Sequence, residues 1–165
     1  MFLRLTGLVG LVIAAMFLLG GVALAEDLPP GGTFIDDDGD THEPSIEAIY
    51  AAGITVGCDD RGIFFCPDRP VTRGEMAAFL DRALSLPGTQ EDFFTDDETS
   101  MFEAAINRIA AAGFTLGCNP PSNTHYCPDR GMTRGEMATL LVRAFPDEVP
   151  ESAPDAFTDD NSEVH

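Results

Sequence analysis

Apolar residues follow three different patterns along this chain. From Leu8 to Leu19 they run almost unbroken, and from Ile46 onward they recur at helical spacing. Ile46, Ile49 and Tyr50 fall on one stripe of a helix predicted from about Pro44 to Ala52, which Gly53 terminates; Phe102, Ile106 and Ile109 repeat the stripe ahead of Gly113. Pro44 suits the first turn of such a helix. A second helix is predicted from Arg73 to about Leu84, with Met76, Phe79, Leu80 and Ala83 facing inward. Its twin runs from Arg134 to about Ala144, with Met137, Leu140, Leu141 and Ala144 inward. The third pattern is the recurrence itself, which marks an all-α fold built from stacked helix-loop-helix units. Neither pair of short helices buries enough apolar area alone, so neighbouring units must pack together.

The polar positions repeat with the apolar ones. Phe34-Ile35-Asp36-Asp37 returns as Phe94-Thr95-Asp96-Asp97 and again as Phe157-Thr158-Asp159-Asp160. Gly57-Cys58 and Gly117-Cys118 each precede a loop. That loop leads to Cys66-Pro67-Asp68-Arg69 or Cys127-Pro128-Asp129-Arg130, and then to Thr72-Arg73-Gly74-Glu75-Met76 or Thr133-Arg134-Gly135-Glu136-Met137. The implied organisation is a linker at 26–33, unit one at 34–87, unit two at 94–145 and the beginning of a third unit at 155–165. Proline punctuates each boundary. The third copy stops at His165, before its helices, which leads us to expect a fragment or a shortened reading frame.

Residues 1–25 read as an export signal: Arg4 supplies the positive end, the apolar run follows, and Ala23-Leu24-Ala25 offers a small-x-small cleavage site. An uncleaved membrane anchor is the competing reading, since Leu5 to Ala25 is about long enough to span a bilayer. The chain carries a formal net charge of −19, and its nine basic residues are all Arg. That balance argues against nucleic acid as a partner, because phosphate binding needs clustered positive charge. No stable membrane span is expected once the signal is removed.

The four cysteines fall one pair per unit, Cys58 with Cys66 and Cys118 with Cys127, in a chain with an export signal. Two disulfides within the units are the natural pairing, each closing an inter-helix loop and stabilising by roughly 2.5 kcal/mol through loop entropy. Zinc is the alternative, but the spacing is not Cys-x-x-Cys and His125 has no counterpart in unit one. No cofactor is expected.

Thr72 with Glu75, and Thr133 with Glu136, match the capping box, in which each residue satisfies a backbone N–H of the first helical turn. Arg73 and Arg134 are not explained by capping. A cation at the first helical position opposes the helix dipole by about 0.3 to 1 kcal/mol, yet both copies have one. Two readings stay open here: an anion site made of Arg and exposed helix N–H groups, suited to carboxylate or phosphate, or simple pairing with neighbouring Asp residues.

Taken together, Phe-x-Asp-Asp, the Ala/Ile helix ending in Ala-Gly, Gly-Cys, Pro-Asp-Arg and Thr-Arg-Gly-Glu-Met-Ala resemble S-layer homology repeats, in particular a disulfide-bearing variety of actinobacterial type. The resemblance implies helical units assembling in threes around a central helical bundle. It also implies binding of a secondary cell-wall polysaccharide of Gram-positive bacteria, often through a pyruvate ketal. By resemblance, Arg73 and Arg134 grip that carboxylate and Thr72 and Thr133 shape the site. Two departures stand out: the chain has no Trp, with His42 and Phe102 near the position where many family members carry one, and Gly74 and Gly135 replace the usual Ala of the motif. Glycine there would let a ligand approach the backbone.

Other chemistry is weaker. Asp36, Asp38 and Asp40, with Glu47 eleven residues after Asp36, imitate the ligand spacing of a calcium loop, but Thr41 stands where Gly is required and Asn107 replaces Glu47 in unit two. A role for these Asp residues at the positive end of a helix is the favoured explanation. No nucleophile-base arrangement is visible, with His42, His125 and His165 scattered. The expectation is a secreted, non-catalytic module associated with the cell wall or S-layer and anchored to an anionic wall polysaccharide. The alternatives are an appendage of an exported peptidase or wall hydrolase, and a calcium-dependent surface module.

Overall fold

The computed structural model describes residues 32–150 and Phe157. The expected export signal and most of the linker lie outside the described residues, as does the third unit apart from Phe157, which is exposed. Four α-helices carry the fold: α1 (Glu43–Ala51), α2 (Arg73–Leu84), α3 (Glu103–Ala111) and α4 (Arg134–Ala144), followed by a 3-10 turn at Pro146–Glu148. The described residues form no named strand, so the architecture is all-α as the periodicity predicts. No helix among them is long and apolar enough to cross a membrane.

Local chemistry sets the helix ends. Thr72 and Thr133 each accept from the backbone N–H three residues on, and Glu75 and Glu136 return the bond to the Thr amide, so both capping boxes form as predicted. α1 begins at Glu43, one residue before the predicted start, with Pro44 in its first turn; Gly53 follows at φ +72°, a left-handed conformation in which glycine carries no Cβ penalty. Both disulfides are present, Cys58–Cys66 and Cys118–Cys127, each with Cα atoms 6.1 Å apart.

Two inward assignments need correction. Ala83 and Leu141 are exposed, Leu141 at 40%. α2 packs against α3 on a stripe centred on Ala77, which is fully buried, with Arg73, Met76 and Leu80 around it. The small Ala77 and Ala78 let the helices approach closely, and this turns Ala83 outward. Leu140 and Ala144 of α4 are buried while Leu141 and Val142 face away from the core.

The main core crosses the unit boundary. Met76, Ala77 and Leu80 of unit one pack with Phe94, Ile106, Ile109, Tyr126 and Leu140 of unit two. Unit one keeps a smaller cluster around Phe34, whose ring meets Tyr50 edge-on at 5.3 Å and Phe65 at 5.5 Å. In each unit the first Asp of Phe-x-Asp-Asp staples the cysteine loop. The Asp36 carboxylate accepts from the Phe65 and Cys66 amides at 2.7 and 2.8 Å, and Asp96 from Tyr126 and Cys127 at 2.7 and 2.9 Å.

Candidate functional site

The two Thr-Arg-Gly-Glu termini have the same local fold and opposite surroundings. Arg73 is 4% exposed and lies against unit two. Its Nε donates to the Tyr126 carbonyl at 2.8 Å and its Nη2 to the Gly117 carbonyl at 3.3 Å. Its guanidinium lies 4.7 Å from the Tyr126 ring centroid, within cation–π range, and 3.7 Å from the Glu136 carboxylate. The Tyr126 hydroxyl donates back to the Arg73 carbonyl at 2.8 Å. Main-chain bonds extend the contact, from the Arg73 N–H to the Arg130 carbonyl and from the Gly74 N–H to the Pro128 carbonyl, both 2.9 Å. Burial draws the Arg73 pKa below the ordinary arginine range, and the nearby Tyr126 and Glu136 oppose that shift.

Gly74 is buried, and the space beside it is filled by protein. A Cβ there would lie 2.5 Å from the Phe102 ring. Arg134, by contrast, is exposed, and its side chain makes no hydrogen bond or ion pair among the described residues. Thr133 beside it is exposed and Gly135 is half-buried. The arginines of the two Pro-Asp-Arg segments pair with the capping glutamates, Arg69 with Glu75 at 2.5 Å and Arg130 with Glu136. Desolvation pushes the Glu136 carboxyl up, but the bonds from Arg130 and Thr133 outweigh it and hold the group at about 2.

A groove of about 690 Å³ opens on unit one. Its floor is the face of α2 at Ala78 and Phe79, one wall is the cysteine loop from Thr55 to Pro67, and the other wall is Met101 and Phe102 of unit two. Arg61, Arg69 and Arg82 line it together with Asp59, Asp60 and Glu75. In a chain of net charge −19 this gathers three of the nine arginines in one concavity. Arg61 is held by Asp59 at 3.1 Å and Arg82 by the Ile54 carbonyl at 3.1 Å, so the guanidiniums are oriented while remaining on the surface. Arg73 is not part of the groove lining. It fixes the unit interface, and Gly74 seats the Phe102 wall.

One cluster of potential metal ligands appears among the described residues, Asp96 with Cys118 and Cys127. Its sulfurs are joined in a disulfide and both Asp96 oxygens accept backbone N–H bonds, so it has no thiolate to offer and its carboxylate is engaged.

Residues 36–77 match the family model of the S-layer homology domain. In that segment the chain is similar to an S-layer homology domain. The matched segment holds α1, the first disulfide and most of the groove lining, from Thr55 to Glu75. Such a domain is a binding module of the cell surface. Over 102 residues the chain is also 28% identical to "Endoglucanase" of Bacillus sp. (strain KSM-635), a match covering 62% of this chain and 10% of that protein. The chain therefore spans about a tenth of that relative's length.

Sequence reasoning singled out the Thr-Arg-Gly-Glu arginines and passed over those of the groove. The recurrence of Pro-Asp-Arg gave a signal for Arg69. Arg82 recurs as Arg143, and the two make equivalent bonds to the Ile54 and Phe114 carbonyls, whereas nothing in the pattern marks Arg61, which unit two replaces by Pro121.

Proposed function

We propose that the chain is a non-catalytic anchoring module that holds an anionic secondary polysaccharide of the cell wall. The observation that carries this reading is the groove, where three guanidiniums and three carboxylates line one concavity, most of it inside the segment that matches the S-layer homology domain. A glycan acid group such as a pyruvate ketal suits a guanidinium that presents two N–H donors together. The acidic body repels a polyanion at long range, so recognition is local, at the point of contact.

Within this reading Arg134, with Thr133 and Gly135, meets an acid group directly at the α4 N-terminus. Arg73, Thr72 and Gly74 act one step back, holding the unit interface and the Phe102 wall. Secretion through the 1–25 signal delivers the module to the wall. The test is co-sedimentation of the purified protein with Gram-positive wall sacculi before and after the secondary polysaccharide is stripped. Pelleting with intact sacculi and loss of pelleting with stripped ones is the expected result; equal pelleting with both overturns the reading.

A second reading rests on the similarity to an endoglucanase, namely that the module is the wall-targeting appendage of an exported hydrolase. The intact mass of the native product separates the two. A polypeptide far above 17.6 kDa with hydrolase activity supports the appendage.

A further inference from the structure

The second Asp of Phe-x-Asp-Asp has no role in the groove, the caps or the loop staple. Asp37 and Asp97 are both fully buried, and neither carboxylate has a hydrogen-bond partner beyond its own backbone N–H. In unit one the adjacent Glu43 is 8% exposed, with Oε2 accepting from the Gly39 N–H at 2.8 Å and Oε1 buried and unpartnered. A buried, unpaired carboxylate costs several kcal/mol, and a protein that retains one at the same step of two repeats must neutralise it with a counter-charge or a proton. Among the described residues no arginine pairs with either Asp: five engage other carboxylates, and Arg82 and Arg143 bond carbonyl oxygens.

The neighbourhood makes the deficit worse. Asp37 faces Glu47, Glu43 and Asp36, while Asp97 faces Asp92, Asp96 and Glu103. Asp36 and Glu47 are themselves engaged, Asp36 by the Phe65 and Cys66 amides and Glu47 by the Thr33 amide at 2.6 Å and the Phe34 amide at 3.3 Å. What remains free in unit one is a small set of oxygens at a turn, the Asp37 carboxylate and Glu43 Oε1, inside a ring of negative charge. Burial is the main reason both Asp groups sit above the usual carboxylate range, with Asp97 pushed up to about 6.

We propose that the turn leading into the first helix of each unit is a calcium site, with Asp37 and Glu43 as inner ligands in unit one and Asp97 with Glu103 in unit two. The donors are all oxygen, which suits a hard cation and disfavours zinc or copper. Two carboxylates per turn, completed by backbone carbonyls and water toward the six to eight oxygens calcium prefers, describe a weak site of the kind found in extracellular modules, with a Kd of about 0.1 to 1 mM. The ligand set differs from the Asp36, Asp38, Asp40 and Glu47 series that imitates a calcium loop in the sequence. It is independent of the polysaccharide reading.

Thermal unfolding of the purified protein at pH 7.5 tests it, in 2 mM calcium chloride, in magnesium chloride at equal ionic strength, and in EDTA. Calcium is expected to raise Tm by about 5 °C over EDTA, and magnesium by clearly less. Asp37→Asn with Asp97→Asn removes the calcium response and, by eliminating two unpaired buried charges, raises Tm in EDTA above wild type. That second change separates loss of a ligand from a simple folding defect. The proposal is overturned by a Tm identical in calcium and EDTA, by equal responses to calcium and magnesium, or by a calcium response that survives in the double variant. It is also overturned if Tm ignores calcium but climbs as pH falls from 7.5 to 5, which would give the buried carboxylates a proton in place of a metal.

Discussion

Arg73 and Arg134 occupy the same step of two nearly identical motifs, yet one is buried against the next unit and the other is exposed. The five residues of each motif are the same, and both helices carry a complete capping box. What differs is whether a following unit is packed on the terminus. Where unit two is present, its Gly117 and Tyr126 carbonyls and the Tyr126 ring enclose the guanidinium; after unit two the described residues offer nothing equivalent. A repeated residue therefore need not have a repeated role. The motif supplies an arginine at a helix N-terminus, and a unit packed on that terminus turns it from an exposed group into a link between units.

The contrast breaks most visibly under truncation. Arg73→Ala leaves two carbonyls without their donor and empties a packed site, and we expect a loss of about 3 kcal/mol in urea unfolding. Arg134→Ala should leave the urea midpoint where it was. Gly74→Ala comes next, since the new methyl group meets the Phe102 ring and the wall must move, at a cost of about 1 to 3 kcal/mol with the groove distorted. Tyr126→Phe removes the bond to the Arg73 carbonyl and should cost about 1 kcal/mol by the same measurement. Unit one has Phe65 at the corresponding position, and among the described residues no guanidinium lies over its ring.

A further and smaller effect is expected in acid. Glu136 sits at about 2 in the folded chain, below the ordinary Glu value of 4.5, so it contributes stability above pH 4.5 that is lost as pH falls through its folded value. Glu75 is lowered in the same direction by Arg69 and Thr72, against the opposing effect of burial. Unfolding followed by circular dichroism between pH 5 and pH 2 should show a falling Tm across that window. Glu136→Gln should flatten the fall, because it removes the titrating group from a site that also touches Arg73.

Much of the fold was legible because it depends on local chemistry. The Thr-x-x-Glu boxes marked the starts of α2 and α4 at Arg73 and Arg134, and the cysteine pairing followed from the spacing in each unit. The helix faces were legible only to within one position. Ala83 belongs to the period of the apolar stripe, but the close approach of α3 over Ala77 rotates it out of the core. The site was less legible still, because the groove joins a loop, a helix face and the Met101-Phe102 wall of the other unit. Nor could spacing reveal that Asp36 and Asp37, adjacent and alike, divide into a stapling residue and a buried residue without a partner.

Calorimetric titration of purified anionic wall polysaccharide into Arg134→Ala, alongside wild type, tests the central claim most directly, since that variant should fold normally. The account predicts at least a tenfold weaker association for the variant. An unchanged affinity would contradict the assignment of ligand contact to the exposed arginine.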